Sequence, residues 1–74
     1  MTSAEIDAFV LSQLHEQPLR FSDVYIGVRR RLGHSTPDRR KIDRSLQRLR
    51  KADKAFFARG PGGGWRLPMP AQGA

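Results

Sequence analysis

Cysteine is missing from all 74 residues, which excludes a disulfide framework and a thiolate metal site. Long apolar runs are missing too: nothing approaches the ~18 consecutive apolar residues of a membrane-spanning helix. The opening stretch MTSAEIDAFVLSQLHEQ is acidic and broken by polar residues, so it lacks the basic start and apolar centre of a secretory signal. Histidine occurs only at His15 and His34, and no acid or nucleophile motif accompanies either one. No metal-ligand spacing is present, and the glycine-rich stretch GPGGG lacks the G-K-[ST] ending of a nucleotide-binding loop. No catalytic residue, metal or cofactor is therefore expected. Length allows one domain, near the lower limit for a single unstapled core. A cytoplasmic location is the expectation, nucleoid-associated in a bacterial or phage setting.

Carboxylates become scarce after Ser35, and this is where the sequence turns informative. From Met1 to Ser35, Arg20, Arg29, Arg30 and Arg31 are balanced by Glu5, Asp7, Glu16 and Asp23. From Thr36 onward, ten Lys and Arg residues face only Asp38, Asp43 and Asp53. The whole excess of +7 thus lies in the second half. A concentrated positive field draws polyanions, with nucleic acid the first candidate and an anionic membrane surface the second.

The apolar residues divide the chain into short elements. Thr2 or Ser3 is placed to cap a first helix carrying Ile6, Phe9, Val10 and Leu14 on one stripe, with Pro18 as its stop. Leu19–Phe21 reads as extended. Ser22 is the expected cap of a second helix, with Phe21 and Ile26 as a hydrophobic staple. Its buried stripe is Val24, Val28 and Leu32 beside Tyr25, and Gly33 is its terminator. The basic run Arg29–Arg31 falls in its last turn, where the dipole favours cations.

A third helix is expected over about 37–52, with Thr36 as cap and Pro37 at its first position. Ile42, Leu46 and Leu49 form its core side with Ser45 among them. At about 100° per residue, Arg40, Arg44, Gln47 and Lys51 fall opposite, flanked by Lys41 and Arg48. AFFAR and WRL read as two strands joined by GPGGG, a hairpin over 55–67. Alternation allows only one of Phe56 and Phe57 to face inward. Trp65 is expected to cap the core, with Leu67 beneath. Residues 68–74 hold two prolines and no periodicity, and read as a disordered tail.

Helix, short strand, helix, helix, strand, loop, strand over residues 1–67 resembles the winged helix-turn-helix. The stretch IDRSLQRLRKADKAFFARGPGGGWRL carries the resemblance. It implies an α+β fold of three helices and a two- to three-stranded antiparallel sheet, and double-stranded DNA as partner. In that family the third helix enters the major groove and the wing follows the adjacent backbone or minor groove, often in small transcriptional regulators. From Ile42 to Trp65 the spacing is also similar to Zα domains, which bind left-handed nucleic acid. There, however, Asn replaces Asp43, Tyr replaces Gln47, and a proline pair replaces Gly62 and Gly63.

The chemistry of the side chains points the same way. Arg pairs in bidentate fashion with guanine and Gln with adenine in the major groove of B-DNA. Arg40, Arg44 and Gln47 are the expected base readers. Arg39, Lys41, Arg48, Lys51, Arg59 and Arg66 are the expected phosphate holders. Asp43 would repel phosphate, so it is expected to read a cytosine amino group or to hold a neighbouring Arg.

The alternative is a protein-docking module, anchored by whichever of Phe56 and Phe57 is exposed. Aromatic residues make up 8% of the chain, few platforms for base stacking, so RNA is a weaker expectation than duplex DNA. A homodimer through the first helix or the tail and a monomer are both compatible with the sequence.

Overall fold

Each apolar stripe becomes a helix in the computed structural model, which describes residues 1–68. The elements run α1 (Ser3–Gln13), α2 (Phe21–Leu32), a 3-10 turn (Gly33–Ser35), α3 (Arg39–Lys51), β1 (Phe56–Ala58) and β2 (Gly64–Arg66). This is an α+β domain with the layout of a winged helix. The expected tail lies, from Met69 on, outside the described residues. No helix among the described residues is long and apolar enough to cross a membrane.

Polar caps fix where each helix begins, and two of them differ from expectation. Thr2 and Glu5 form a reciprocal box at α1: the Thr2 hydroxyl accepts from the Glu5 N–H at 3.2 Å, and Glu5 Oε1 accepts from the Thr2 N–H at 2.8 Å. The Thr2 N–H bond to the carboxylate, first of all, holds Glu5 below the ordinary carboxylate range. At α2 the cap position is Arg20, not Ser22. Asp23, in the first turn, reaches back to accept the Arg20 N–H at 3.3 Å. Phe21 thereby joins the helix and Ile26 is 46% exposed, so the expected staple does not form.

At α3 the cap is Asp38, whose Oδ1 accepts from the Lys41 N–H at 3.0 Å. A carboxylate is the stronger acceptor there, and Thr36 is occupied: its hydroxyl donates to the Gly33 carbonyl at 2.6 Å, closing the 3-10 turn. The α1 helix ends at Gln13, ahead of Pro18. Leu14 turns to extended backbone (φ −83°, ψ 146°), which places its side chain in the core.

The core is built from Ile6, Val10 and Leu14, Val24 and Val28, Ile42, Leu46 and Leu49, closed by Ala55 and Trp65. Phe21, Leu32 and Leu67 pack at its margin. Phe9, expected inside, is only half-buried because it lies at the edge of the α1 stripe. There the Arg31 guanidinium sits 6.0 Å from its ring centre. Replacing Leu46, which is wholly buried, by Ala would cost about 2–5 kcal/mol.

A tight turn carries the chain from α3 into the wing. The Lys54 N–H donates to the Leu49 carbonyl at 2.8 Å and the Asp53 N–H to the Arg50 carbonyl at 3.1 Å. Asp53 takes the left-handed conformation (φ 59°) that this double closure of a helix end requires.

The sheet pairs Phe56 with Arg66, Phe57 with Trp65 and Ala58 with Gly64. Its second edge is also bonded. Leu19 and Trp65 exchange backbone bonds of 2.8 and 2.7 Å, and the Leu67 N–H donates to the His15 carbonyl at 2.9 Å. Strand β2 is therefore held between β1 and the α1–α2 connection, and Trp65, 5% exposed, caps the core as expected. Phe56 and Phe57 depart from expectation: both are exposed, at 46% and 44%. The alternation rule assumes a covering layer, and β1 is an outer strand whose inward contact is supplied by Ala55 and Trp65 instead.

Gly64 makes this junction possible. Its φ is +153°, and a Cβ there would sit inside the van der Waals radius of the Leu19 carbonyl oxygen. Gly64→Ala should therefore lower stability by about 1–3 kcal/mol, a fall in Tm of roughly 4–8 °C per kcal/mol for a domain this small. Thermal unfolding followed by Trp65 emission checks this, since the buried indole shifts to the red as unfolding exposes it to water. An unchanged Tm would show that the strand can detach from Leu19 without loss.

Candidate nucleic-acid interface

Burial of Ile42, Ser45, Leu46 and Leu49 fixes the rotation of α3 and hence where every other side chain on it points. Arg40, Arg44 and Lys51 are directed away from the core, and all three are exposed. Lys41 and Arg48 lie on the side facing α1. Arg39, Asp43, Gln47 and Arg50 lie on the side facing the start of α2 and the wing.

Arg48 is held by α1. Its Nη2 donates to Asp7 Oδ1 at 2.7 Å and its Nε to Asp7 Oδ2 at 3.1 Å, a bidentate pair. The buried Ser45 hydroxyl donates to Asp7 Oδ1 at 2.5 Å. Partial burial pushes the Asp7 carboxyl up, but the hydrogen bonds from Arg48 and Ser45 outweigh it, so Asp7 titrates below the usual carboxylate range. The same pair raises Arg48 further above its ordinary value. Arg48, expected to hold a phosphate, is thus part of the α1–α3 joint.

This is the only salt bridge among the described residues, in a chain with fourteen Lys and Arg. Asp43 is exposed and makes no ion pair, so the expectation that it holds a neighbouring Arg is not met. Arg39 stacks over Tyr25 with 5.2 Å from guanidinium carbon to ring centre. Arg66 stacks over Phe56 at 4.6 Å and donates from Nη1 to the Leu67 carbonyl at 3.0 Å. Stacking orients a guanidinium while leaving in-plane N–H groups for another acceptor.

Between α3 and the wing lies a groove of about 480 Å³, lined by Phe21, Asp43, Gln47, Arg50, Phe57, Arg59 and Trp65. A second concavity of about 690 Å³ shares Phe21, Phe57, Arg59 and Trp65 and continues to Arg20, Gly60 and Gly63 at the wing tip. A third joins Phe21 to Arg39, Arg40 and Asp43. Of the residues expected to contact DNA, Arg39, Arg40, Gln47 and Arg59 therefore border these three concavities, Arg44 and Arg66 line none of them, and Arg48 lies with α1 instead.

Arg50 is the residue that helical spacing could have revealed and did not. It stands three positions after Gln47 and seven after Asp43, on the same side, and its Nε donates to Gln47 Oε1 at 3.0 Å. Neither His15 nor His34 has an acid cluster beside it, and no group of three or more His, Cys, Asp or Glu able to hold a metal occurs among the described residues. The chain matches no protein-family model, no curated protein and no solved structure.

The Asp7 joint makes a pH prediction with a definite sign. A carboxyl whose folded value is depressed contributes stability that is complete above its unfolded value, about 4, and is lost as pH falls through the folded value. Asp7→Asn should lower urea stability at neutral pH, and the gap from the native chain should close progressively below about pH 4. A gap independent of pH would mean that shape, not charge, holds α1 to α3.

Proposed function

We propose that the chain is a double-stranded DNA-binding protein of winged-helix type, acting as a small transcriptional regulator. The α3 helix enters the major groove and the β1–β2 wing lies along the adjacent backbone or minor groove. The observation that carries this reading is the free cationic face beside the wing. Arg40, Arg44 and Lys51 project outward from α3, with Lys41 on its α1-facing flank, and among the described residues no carboxylate pairs with any of them. A merely solvated helix face would be expected to carry acidic partners at i+3 or i+4, and α3 itself contains only Asp43.

Within that reading the contacts divide by chemistry. Arg40 and Arg44 read base edges, and Gln47 joins them only by releasing Arg50, since a bidentate bond to adenine needs both its oxygen and its nitrogen. Lys41, Lys51 and Arg59, with the stacked Arg39 and Arg66, hold phosphates. Phosphate contacts set register and affinity, whereas base contacts set sequence preference. A second reading, protein docking through the wing, draws on the exposure of Phe56 and Phe57. It expects a partner lost on Phe56→Ala and little affinity for DNA.

Fluorescence anisotropy of the full chain against a random duplex and its single strand, across a salt series, tests the proposal. Duplex binding should be preferred, and log K should fall with log salt by about 0.9 for each phosphate neutralised. Lys51→Ala should reduce that slope by roughly one without changing sequence preference. Arg44→Ala should cost about 1–3 kcal/mol on the best sequence and relax the preference at one position. Absence of duplex binding at low salt would overturn the reading, and a uniform loss across sequences would remove Arg44 from the base readers.

A further inference from the structure

The sequence holds few aromatic residues, yet the fold brings Phe21, Phe57 and Trp65 to one groove. Phe57 is the open member. Its neighbour Phe56 is covered on one face by the Arg66 guanidinium, while no cation stacks on Phe57 among the described residues. Trp65 braces it from below, with ring centres 5.0 Å apart and planes tilted by 55°. The result is a supported aromatic ring, 44% exposed, standing as a common wall between the α3 side of the groove and its wing-tip side.

The groove's rim is cationic. Arg50 and Arg59 flank the ring on the α3 side, and Arg20 joins them towards the tip, where glycine backbone leaves room for close approach. An aromatic face edged with guanidinium groups fits a planar ring tethered to anions, which is the chemistry of a nucleobase between two phosphates.

The polar groups at the α3 end agree. Arg50 is a donor only, so the Gln47 atom it binds must be the amide oxygen. The Gln47 NH₂ is therefore left to donate, and beside it Asp43 can only accept. Every base carries at least one donor and one acceptor on its Watson–Crick edge, so this pair suits an unpaired base without choosing among the four. A base inside a duplex cannot present that edge.

We propose that the groove between α3 and the wing takes one unpaired nucleobase at the margin of a bound duplex. The base stacks on Phe57, with its edge on Asp43 and Gln47 and its flanking phosphates on Arg20 and Arg59. The protein then prefers a duplex interrupted by an unpaired nucleotide to a continuous one. This rests on the duplex-binding reading, because α3 and the wing position the interruption over the groove.

The test compares a continuous duplex, the same duplex with a single unpaired 2-aminopurine, and the same duplex with an abasic sugar in that place. The 2-aminopurine duplex should bind about tenfold more tightly than either of the others. Its emission should be quenched on binding, as stacking on an aromatic ring requires. Phe57→Leu, which keeps an apolar contact on Trp65, should bring the affinity ratio to about one and restore the emission. Equal affinity for the base and the abasic sugar, or unchanged emission on binding, would overturn the inference; with the continuous duplex still bound, the duplex reading would stand. Failure to bind any of the three at low salt would overturn both. The comparison among duplexes needs no variant, so a folding defect in Phe57→Leu leaves it decisive.

Discussion

Two backbone hydrogen bonds between Leu19 and Trp65, at 2.8 and 2.7 Å, tie the wing to the body of the molecule. A hairpin with three-residue strands is not stable in water by itself. Here β2 gains a second bonded edge from the α1–α2 connection, and the Trp65 side chain is driven into the helical core. That one residue joins three roles: ladder partner of Phe57, partner of Leu19, and lid over the buried stripe. The position of Arg59 and Phe57 relative to α3 follows from it. Remove the junction and α3 keeps its caps and its core contacts, but the groove loses one wall.

A second joint decides which cations remain available. Asp7 takes the Arg48 guanidinium and the buried Ser45 hydroxyl together, so a polar group inside the α1–α3 contact is satisfied and one positive charge is neutralised. No buried side-chain polar atom among the described residues lacks a partner. Pairing is confined to the side of α3 that faces α1. The opposite sides keep their charge, and the repulsion among Arg40, Arg44 and Lys51 is tolerated because each is surrounded by water. The asymmetry visible along the sequence thus becomes an asymmetry across one helix.

The parts of this arrangement that depend on local periodicity were readable from the chain. Spacing of Ile6, Val10, Val24, Val28, Ile42, Leu46 and Leu49 marks three helices, and Gly33 marks the end of the second, whereas the first ends at Gln13, ahead of Pro18, and the third is closed by Asp53. Cap positions differ where carboxylates compete with hydroxyls: Asp38 takes the cap expected of Thr36, and Asp23, by accepting the Arg20 N–H, starts the second helix before Ser22. The outward position of both Phe56 and Phe57 was hidden because alternation presupposes a covering layer that this wing lacks. Arg48 could not be told from its neighbours, since its partner Asp7 lies far away in sequence and only the packing of α1 on α3 brings them together. The aromatic groove was invisible for the same reason. Phe21, Phe57 and Trp65 come from three elements, and composition alone undercounts a platform that tertiary structure assembles.

The two adjacent phenylalanines show how the wing separates support from exposure. Leaving large rings in water forgoes burial free energy of about 25 cal/mol for each Å², a loss that a domain this small has little margin to carry. Phe56 recovers part of it by lying under the Arg66 guanidinium, whose own orientation is fixed by the Leu67 carbonyl. Phe57 has only the edge of Trp65 and leaves its other surface open. An aromatic ring suits a strand, and the open surface of Phe57 leaves room for the occupant proposed above. The surrounding arginines make a tethered anion its most compatible chemistry. The orientation of the Gln47 amide, set by Arg50, adds a donor beside the Asp43 acceptor at the place where such an occupant would end.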